Sequence, residues 1–315
     1  MYIIVQRVIR EKRLRMTSKR SNSAHAEPVS VAEFIRQRFD QFTRAERKPA
    51  RLLMSNYPFP ALAALPEFSR LAGVSHPTIL RFVAKLGFSG YPAFQLVIRN
   101  ELEERLKSPL AKYGKHDPIT STEKRNILSN FAAAACENIH LSVKGVPSSE
   151  FVETLSLLLD NTNTVYLLGG RFTDSIATYL YMHLRVLRSN VYQVTGPPVS
   201  WPEYLLNMNH KSVLVVFDIR RYQDEVVCFA EEAAQRGVSV ILFTDSWLSP
   251  IASTARHVFS GRIEVPSSWD SVVTLIVFVE ALISAISDIK WSEVKGRIND
   301  LEKLRSRFGN SKEVE

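Results

Sequence analysis

Residues 66–88 read PEFSRLAGVSHPTILRFVAKLGF, and this stretch has the pattern of two short helices joined by a tight turn. Gly73 supplies the conformational freedom that such a turn requires, and Val74 is an apolar side chain suited to fill the angle between the helices. Ser75 is a favourable N-cap for the second helix, with Pro77 in its first turn. Apolar residues of that helix recur at helical spacing and are predicted to face inward: Ile79, Phe82, Val83 and Leu86. The stretch therefore predicts a helix-turn-helix.

The outward face of the second helix carries side chains that suit contact with a DNA duplex. Residues near the N-terminus of such a helix reach base edges in the major groove, while hydroxyl groups and cations hold phosphates. Arg81 is the best candidate for a bidentate contact with guanine. The DNA-binding candidates are Ser75, His76, Pro77, Thr78, Arg81 and Lys85. The alternative interpretation is an ordinary helical hairpin with a polar outer face.

Positive charge is concentrated in the N-terminal third of the chain. Residues 1–107 hold 19 Lys and Arg against 9 Asp and Glu, whereas residues 108–315 hold 21 against 23. This distribution is typical of a polyanion-binding head on a nearly neutral body, although a basic surface also suits solvent or a membrane. The charge supports double-stranded DNA as the partner of the N-terminal third. A basic surface that is only solvated, or one that faces a membrane, stays open as an alternative.

The second half of the chain alternates short β-branched runs with helical patterns. The predicted strands are Thr164–Leu168, Val191–Val194, Ser212–Phe217, Val238–Phe243 and His257–Val265. Helical patterns occupy 173–188, 200–208 and 222–236, then a long apolar helix over 268–289 and an amphipathic helix over 291–308. Because strands that alternate with helices form βαβ crossovers, we predict an α/β domain with a five-stranded parallel sheet flanked by helices.

Composition divides the chain into five segments. They are a disordered basic tail over 1–27, a helix-turn-helix domain over 28–107, a linker over 108–122, an α/β domain over 123–290, and a C-terminal helix and tail over 291–315. In the N-terminal domain, Thr43 and Glu46 have the spacing of a capping box. Ser268 or Asp270 is predicted to cap the long apolar helix. Whether Met16 is the true start stays open.

The run Leu71–Gln95, LAGVSHPTILRFVAKLGFSGYPAFQ, resembles the N-terminal domain of the RpiR family of transcriptional regulators. The resemblance extends from about residue 28 to 107, and the segment LGFSGYPAF is distinctive. The family's second domain is a sugar isomerase (SIS) domain, and the βα pattern of residues 123–289 is similar to one. The resemblance implies an all-α helix-turn-helix domain followed by an SIS domain that binds an effector and dimerises.

Two loops at the predicted carboxyl ends of strands are candidates for ligand binding, because helix N-termini there offer free N–H groups to anions. The first loop is Gly169–Thr173 and the second is Asp218–Gln223. The ligand-binding candidates are Gly169, Gly170, Arg171, Thr173, Asp218, Arg220, Arg221, Tyr222 and Ser249. Ser249 belongs to the run Thr244–Ile251, which resembles a TDSxxSP motif of SIS domains, and it is also suited to cap a helix.

Both loops differ from those of SIS domains that bind phosphosugars. Arg171 stands where the GxGxS-like turn of such domains has its second glycine, and the second loop has Arg220 and Arg221 in place of an SxSGxT-like sequence. Guanidinium groups suit bidentate capture of a carboxylate or phosphate, so we predict an anionic effector, either a sugar phosphate or an organic acid. Alternatively, these arginines pair with nearby acids and leave no pocket. The candidate acids are Asp218, Asp174 and Asp224.

Catalytic and metal-binding patterns are missing from the sequence. The two cysteines, Cys136 and Cys228, do not suggest a disulfide framework, and the seven histidines form no metal-binding pair. Isomerases of this fold need an acid/base pair, usually Glu with His, but nothing in the sequence aligns Glu280 with His183. We therefore expect no enzyme activity, no metal and no cofactor. With no secretory signal and no membrane span, the chain is expected to be cytoplasmic.

The sequence thus predicts a DNA-binding regulator that senses a carbohydrate derivative or another anionic metabolite. We expect a homodimer or homotetramer on a palindromic operator, because a two-fold axis relates two DNA-binding heads. One alternative is an enzyme, a phosphosugar isomerase with an added basic domain. The other is an interaction protein whose SIS-like domain only dimerises.

Overall fold

A computed structural model of the chain describes residues 30–55, 57–106 and 121–309. The predicted tail over 1–27, with Met16, and most of the predicted linker over 108–122 lie outside these residues. We refer to residues 30–106 as the head and to residues 121–309 as the body. Among the described helices, none combines the length and the apolar character needed to cross a membrane.

The head is helical, and the body alternates helices with strands. The head contains α1 (Val31–Gln37), α2 (Arg47–Ser55), α3 (Phe59–Leu62), α4 (Leu65–Ala72), α5 (His76–Lys85) and α6 (Tyr91–Leu106). The body contains α7 (Ser121–Gly145), α8 (Ser148–Leu159), β1 (Thr164–Gly169), α9 (Asp174–Leu187), β2 (Val191–Gln193), α10 (Pro202–Leu205), β3 (Ser212–Phe217), α11 (Asp224–Gln235), β4 (Ser239–Asp245), β5 (His257–Gly261), α12 (Val273–Ile289) and α13 (Trp291–Gly309).

One apolar core holds the helices of the head together. Phe68, Phe82 and Phe94 are fully buried, and burial of each such side chain contributes roughly 2–3 kcal/mol. The predicted inner face of α5 is confirmed, because its members are all buried: Ile79, Phe82, Val83 and Leu86. The predicted capping box is confirmed too. The N–H of Thr43 donates to Oε2 of Glu46 at 2.9 Å, and the N–H of Glu46 donates to Oγ1 of Thr43 at 3.4 Å.

The five strands form one parallel sheet, as predicted, and their order is β2-β1-β3-β4-β5. Every residue of β3 is buried, because the strand lies between two neighbours and helices cover both faces of the sheet. Phe217, Phe243 and Phe259 stack across three adjacent strands, with ring centroids 4.8 and 4.7 Å apart. The strand order reverses between β1 and β3, so a crevice opens at the carboxyl ends of these two strands.

Three predicted elements are clearly shorter than expected, and one of them is the long apolar helix predicted over 268–289, which begins only at Val273. The fifth strand ends at Gly261 and does not extend to residue 265, because its last paired residue faces Asp245, where β4 itself ends. The predicted helix over 200–208 is a 3-10 turn, Pro198–Ser200, followed by the single-turn helix α10. Pro202 is the first residue of α10, a position where proline is favourable because its missing N–H has no helical partner, so it marks where this helix begins.

The predicted cap of the long apolar helix is wrong. Helix α12 begins at Val273, and its N-cap residue is Val272, so neither Ser268 nor Asp270 occupies that position. The carboxylate of Asp270 binds the guanidinium of Arg220, and this ion pair holds the segment before α12 against the carboxyl end of the sheet.

Candidate functional site

The turn between α4 and α5 has the geometry that the sequence predicts. Gly73 lies in the left-handed region with φ of +60°, and its N–H donates to the carbonyl of Arg70 at 3.1 Å. The N–H of Val74 donates to the carbonyl of Ser69 at 3.1 Å, which closes the end of α4. This turn presents the N-terminus of α5 at the surface of the head.

Most of the DNA-binding candidates are exposed on α5, but Thr78 is not. Ser75, His76, Pro77 and Arg81 are exposed, whereas Thr78 is only 6 % exposed. The hydroxyl of Thr78 lies 3.0 Å from that of Ser75, within hydrogen-bond distance. Ser75 occupies the N-cap position, but it makes this hydroxyl contact and no side-chain capping bond. The prediction of an exposed Thr78 is therefore wrong.

The last DNA-binding candidate, Lys85, is engaged within the head. Its Nζ lies 2.6 Å from Oε2 of Glu46, a carboxylate whose side chain is only 5 % exposed. Burial alone would raise the pKa of Glu46, but hydrogen bonds from Lys85 and Thr43 hold that pKa below its usual value. Among the residues that the structure describes, Arg81 makes a 3.3 Å hydrogen bond from Nε to the carbonyl of Pro77 within its own helix and no ion pair, so its guanidinium is available to a partner on this face.

A cavity of about 460 Å³ opens at the carboxyl ends of β1 and β3. It is lined by the first loop, the second loop and the segment before α12: Gly170, Arg171, Phe172, Thr173, Asp218, Ile219, Arg220, Arg221, Gln223, Trp269, Asp270 and Val272. The structure thus brings together most of the ligand-binding candidates. In size the cavity suits a small metabolite.

Three ligand-binding candidates do not line this cavity. Gly169 lies against the start of α9, where an added Cβ would come within 2.4 Å of the Asp174 backbone. The hydroxyl of Tyr222 donates to Oδ1 of Asp245 at 2.7 Å. Ser249 is buried behind the second loop and accepts a 3.3 Å hydrogen bond from the N–H of Ile251, which confirms the predicted cap. These residues support the loops from behind.

The backbone donors of the first loop are largely used within the protein. The N–H of Gly170 donates to the Phe217 carbonyl at 3.0 Å and to Oγ1 of Thr173 at 2.9 Å. The N–H of Arg171 donates to Oε1 of Gln223, and the hydroxyl of Thr173 donates to the Phe217 carbonyl at 2.6 Å. A phosphate group would therefore meet few available backbone donors here. Capture of an anion at this loop would therefore fall mainly to side chains.

The arginines of the cavity differ in how strongly they are engaged. Arg220 is buried and makes two hydrogen bonds to Asp270, at 2.6 and 2.9 Å, and one to Glu264 at 3.2 Å. Burial alone would lower the pKa of Arg220, but these carboxylates keep that pKa above its usual value. Arg220 thus pairs with acids other than the three expected from the local sequence. Arg171 and Arg221 are exposed at the rim.

Aromatic side chains form one wall of the cavity, and the sequence did not identify them as ligand residues. Phe172 and Trp269 meet edge to face with ring centroids 5.6 Å apart, and each is 57 % exposed. The guanidinium of Arg171 lies 4.7 Å from the centroid of the Phe172 ring. The adjacency of Arg171 to Phe172 is visible in the sequence, whereas Trp269 joins them only through the fold.

A segment that begins with the last residue of β4 connects the cavity with the head, and we call Asp245–Ser249 the bridging segment. Toward the cavity, the carboxylate of Asp245 accepts hydrogen bonds from the N–H of Arg220 and the hydroxyl of Tyr222, both at 2.7 Å. The hydroxyl of Ser249 donates to Oδ2 of Asp218 at 2.5 Å. These contacts fix the bridging segment to the second loop. Burial raises the pKa of Asp245, and the hydrogen bonds oppose that rise.

The other side of the bridging segment contacts the head. Leu248 is buried in the apolar cluster of the head, among residues of α1 to α6. The hydroxyl of Ser30, which caps α1, donates to the carbonyl of Ser246 at 2.5 Å. Between these two contacts, the ring of Trp247 lies 4.3 Å from the guanidinium carbon of Arg220. One short stretch of chain therefore contacts both functional regions.

The acid and the histidine considered for isomerase chemistry lie outside the cavity lining. Tyr179 connects them, because its hydroxyl donates to Glu280 at 2.7 Å and its ring contacts the His183 ring with centroids 4.7 Å apart. The hydrogen bond to Glu280 raises the pKa of Tyr179. Within the described ranges, no group of three or more His, Cys, Asp or Glu residues is arranged to hold a metal ion.

Comparison with known proteins identifies both domains. Residues 29–105 match the family of helix-turn-helix domains of the rpiR type, and residues 158–285 match the SIS domain family. The chain is 32% identical over 225 residues to the HTH-type transcriptional regulator HexR of Pseudomonas aeruginosa, an alignment that covers 71% of this chain and 75% of that protein.

Two solved structures share the fold. The sugar isomerase domain of an RpiR transcription factor from Sphaerobacter thermophilus aligns with a TM-score of 0.52 at 21% identity, over 56% of this chain and 99% of that one. The Vibrio vulnificus NanR protein, complexed with ManNAc-6P, aligns with a TM-score of 0.51 at 14% identity, over 89% of this chain and 99% of that one. With both domains matched in order, this chain belongs to the RpiR family of helix-turn-helix transcriptional regulators that carry an SIS domain.

Proposed function

We propose that the cavity of this regulator binds a small anionic metabolite and that binding changes the affinity of the helix-turn-helix for its operator. The observation that carries the proposal is the bridging segment Asp245–Ser249. It is hydrogen-bonded to Asp218 and Arg220 at the cavity, and its Leu248 is packed into the head. A ligand that moves the second loop therefore also moves the bridging segment, against which the head packs. Coupling of this kind typically amounts to about 1–3 kcal/mol between two sites.

The charges of the cavity favour an anion. Three arginines line it against two carboxylates, and two of these arginines, Arg171 and Arg221, lie at the rim without the carboxylate partners that Arg220 has among the described residues. A guanidinium captures a carboxylate or phosphate in two parallel hydrogen bonds. The ligand class we propose is therefore a sugar phosphate or an organic acid, and the ManNAc-6P complex of the Vibrio relative supports the former.

The proposed site residues follow from this arrangement. For DNA we propose the exposed candidates, with Arg81 as the main base contact: Ser75, His76, Pro77, Arg81 and Lys85. For the ligand we propose the candidates of the two loops that line the cavity: Gly170, Arg171, Thr173, Asp218, Arg220 and Arg221. We further propose a cytoplasmic homodimer or homotetramer with a helix-turn-helix domain over residues 28–107 and an SIS domain over residues 123–290. Two heads related by a two-fold axis would bind a palindromic operator with half-sites about one helical turn, or a multiple of it, apart.

We propose that the protein is not an enzyme. The rival function is a phosphosugar isomerase, which needs an acid and a base close to the bound sugar. Glu280 is hydrogen-bonded to Tyr179 at 2.7 Å and is not among the residues that line the cavity, so the arrangement does not favour this chemistry. Incubation of the full-length protein with aldose and ketose phosphates, followed by product analysis, tests this point. Turnover that Glu280→Gln abolishes would support the isomerase.

The effector proposal is tested by a thermal-shift screen of sugar phosphates and small organic acids against the full-length protein. We expect at least one compound to raise the melting temperature, and we expect Arg171→Ala and Arg221→Ala to reduce that rise. Arg236→Ala, which removes an exposed arginine at the end of α11 away from the cavity lining, is the matched control. The active compound is then added to the protein bound to DNA from upstream of its own gene.

The outcomes separate the parts of the proposal. A change in DNA affinity on addition of the compound supports a ligand-controlled regulator. A compound that stabilises the protein equally in the wild type and in both rim variants would place the site elsewhere. If no compound changes stability or DNA affinity, the SIS domain acts in assembly only.

A further inference from the structure

The outward surface of α5 has an apolar centre. Lys85 is exposed but held by Glu46. The other exposed positions follow helical spacing and form one continuous stripe along the helix, which we call the recognition stripe: His76, Pro77, Leu80, Arg81 and Ala84. Leu80 is 43 % exposed and lies directly beside Arg81 in the middle of this stripe. The helix contains no Asp or Glu. The recognition stripe therefore combines a cation, an imidazole and three apolar side chains.

Leu80 is not needed for the core of the head. The inner face of α5 is already complete, because Ile79, Phe82 and Val83 are fully buried. Single exposed leucines are common on protein surfaces and by themselves indicate nothing. Leu80 differs from such cases because it occupies the centre of the one helix face that the helix-turn-helix presents to DNA. A side chain at this position is buried when the helix enters a major groove.

Two of the predicted DNA-binding residues are not available at the centre of this face. Thr78 is buried on the inner side of the first turn, and Lys85 is held by Glu46 at 2.6 Å. Arg81 and Leu80 therefore remain as the neighbouring long side chains in the middle of the recognition stripe. The guanidinium of Arg81 suits a polar base edge, and the side chain of Leu80 suits an apolar group.

We propose that Leu80 reads the C5 methyl group of a thymine in each operator half-site, beside the base pair that Arg81 contacts. Among the groups that B-DNA presents in the major groove, the thymine methyl is the apolar one. Ala84, one turn further along α5, extends the same apolar contact. The inference rests on the function of α5 as the recognition helix. It adds that thymine is specified at this position by its methyl group.

The test begins with selection of a binding duplex from a random DNA library by the full-length protein. Each thymine of the selected duplex is then replaced, one at a time, by deoxyuridine, which lacks only the C5 methyl group. Binding is measured by fluorescence anisotropy at one fixed salt concentration, since affinity for DNA depends strongly on salt. In each half-site we expect one thymine whose replacement weakens wild-type binding about fourfold, as burial of a single methyl group predicts.

Leu80→Ala is expected to bind the thymine and deoxyuridine duplexes equally well, because the contacting side chain is gone. Leu96→Ala is the matched control, since it removes a leucine of α6 that is 50 % exposed and lies off the recognition helix, and it keeps the fourfold difference. Arg81→Ala weakens binding overall and also keeps the difference. Because Leu80 is exposed, its replacement should leave the melting temperature unchanged. An unchanged melting temperature then shows that the variant is folded.

Two results would overturn the proposal. If deoxyuridine is tolerated at every thymine by the wild type, or if its effect is the same in Leu80→Ala, then Leu80 does not read the methyl group, while DNA binding by the regulator still holds. If the wild-type protein selects no sequence from the library, the assignment of α5 as a recognition helix fails together with the inference.

Discussion

Glu33 in the first turn of α1 and Arg262 just after β5 form an ion pair that joins the head to the body, with 3.3 Å between Nη2 and Oε1. Each side chain is only 10 % exposed, so the pair is poorly hydrated. Next to it, the guanidinium of Arg36 donates to the carbonyl of Val258 at 3.0 Å and to the hydroxyl of Ser260 at 2.8 Å. Polar contacts thus hold α1 on the edge strand of the sheet.

Arg262→Met removes one member of this pair and leaves the carboxylate of Glu33 in a poorly hydrated position. Loss of one partner from a buried pair costs about 3–5 kcal/mol, so we expect the head to separate from the body more readily. Hydrogen exchange of the amides in α1 measures this, and faster exchange is the expected result. Replacing both residues with methionine should recover part of the protection. Unchanged exchange in Arg262→Met would mean that the pair does not hold the head.

Glu101 makes the stability of the head depend on pH. Burial raises its pKa to about 7, although the hydroxyl of Tyr57 and the N–H of Val31 donate to its carboxylate. The folded protein therefore holds this proton at pH values where the unfolded chain, in which the pKa of a glutamate has its ordinary value of 4.5, has lost it. The free energy of unfolding should fall as the pH rises from about 4.5 to about 7, by roughly 3 kcal/mol.

The matched variants for this pH effect are Glu101→Gln and Glu103→Gln. Glutamine at position 101 cannot ionise, so we expect the decline in stability between these pH values to become shallower. Glu103 is exposed on the same helix, and its replacement should leave the decline as it is. Urea unfolding at several pH values provides the measurement. Equal slopes in the wild type and Glu101→Gln would contradict the assignment.

Asp270→Asn should make the cavity a better site for simple anions. The carboxylate of Asp270 is the closest partner of Arg220, at 2.6 Å, and it competes with any anion for that guanidinium. Removing its charge is expected to tighten binding of inorganic phosphate by about tenfold, the equivalent of one charge-assisted hydrogen bond. Isothermal titration of the full-length variant gives the affinity. Asp224→Asn, at the exposed start of α11, is the control, and an equal gain there would point to a general charge effect.

Gly169→Ala should destabilise the body, whereas Gly296→Ala should not. A Cβ at Gly169 would come within 2.4 Å of the backbone of α9, so β1 and α9 would have to separate, at a cost of about 1–3 kcal/mol. Gly296 lies within α13 with nothing within 4 Å of an added Cβ, so alanine there should add about 0.5–1 kcal/mol through helix propensity. Opposite shifts in melting temperature are expected. A shift of the same sign in both variants would contradict this account.

The features that the sequence predicts correctly are those that depend on near neighbours. Helical spacing identified the buried face of α5, and β-branched runs identified the strands, because burial of these side chains follows the period of each element. On α5, the prediction that Thr78 is exposed is wrong. This residue lies at the boundary between the two faces, where the helical period does not separate inward from outward positions, and its hydroxyl contacts that of Ser75 at 3.0 Å.

The partner of Arg220 illustrates what the sequence could not provide. Asp218 and Asp224 are close to it along the chain, yet the partner is Asp270, fifty residues later. The pairing arises because the segment before α12 returns to the carboxyl end of β3, which is a property of the fold. The insertion of Leu248 into the head is of the same kind, since head and body are separated along the chain. Periodicity carries no information about such contacts.

The position of Trp247 gives this protein an optical reporter of its own. Its indole is buried under the guanidinium of Arg220, 4.3 Å away, whereas the indole of Trp269 is more than half exposed at the mouth of the cavity. Emission from a buried indole lies at shorter wavelength than emission from a hydrated one, and a nearby cation perturbs it. Once the two other tryptophans, Trp201 and Trp291, are replaced by phenylalanine, movement of the second loop and wetting of the mouth should appear as separable components of the fluorescence, so occupancy can be followed without a label while the protein is bound to DNA.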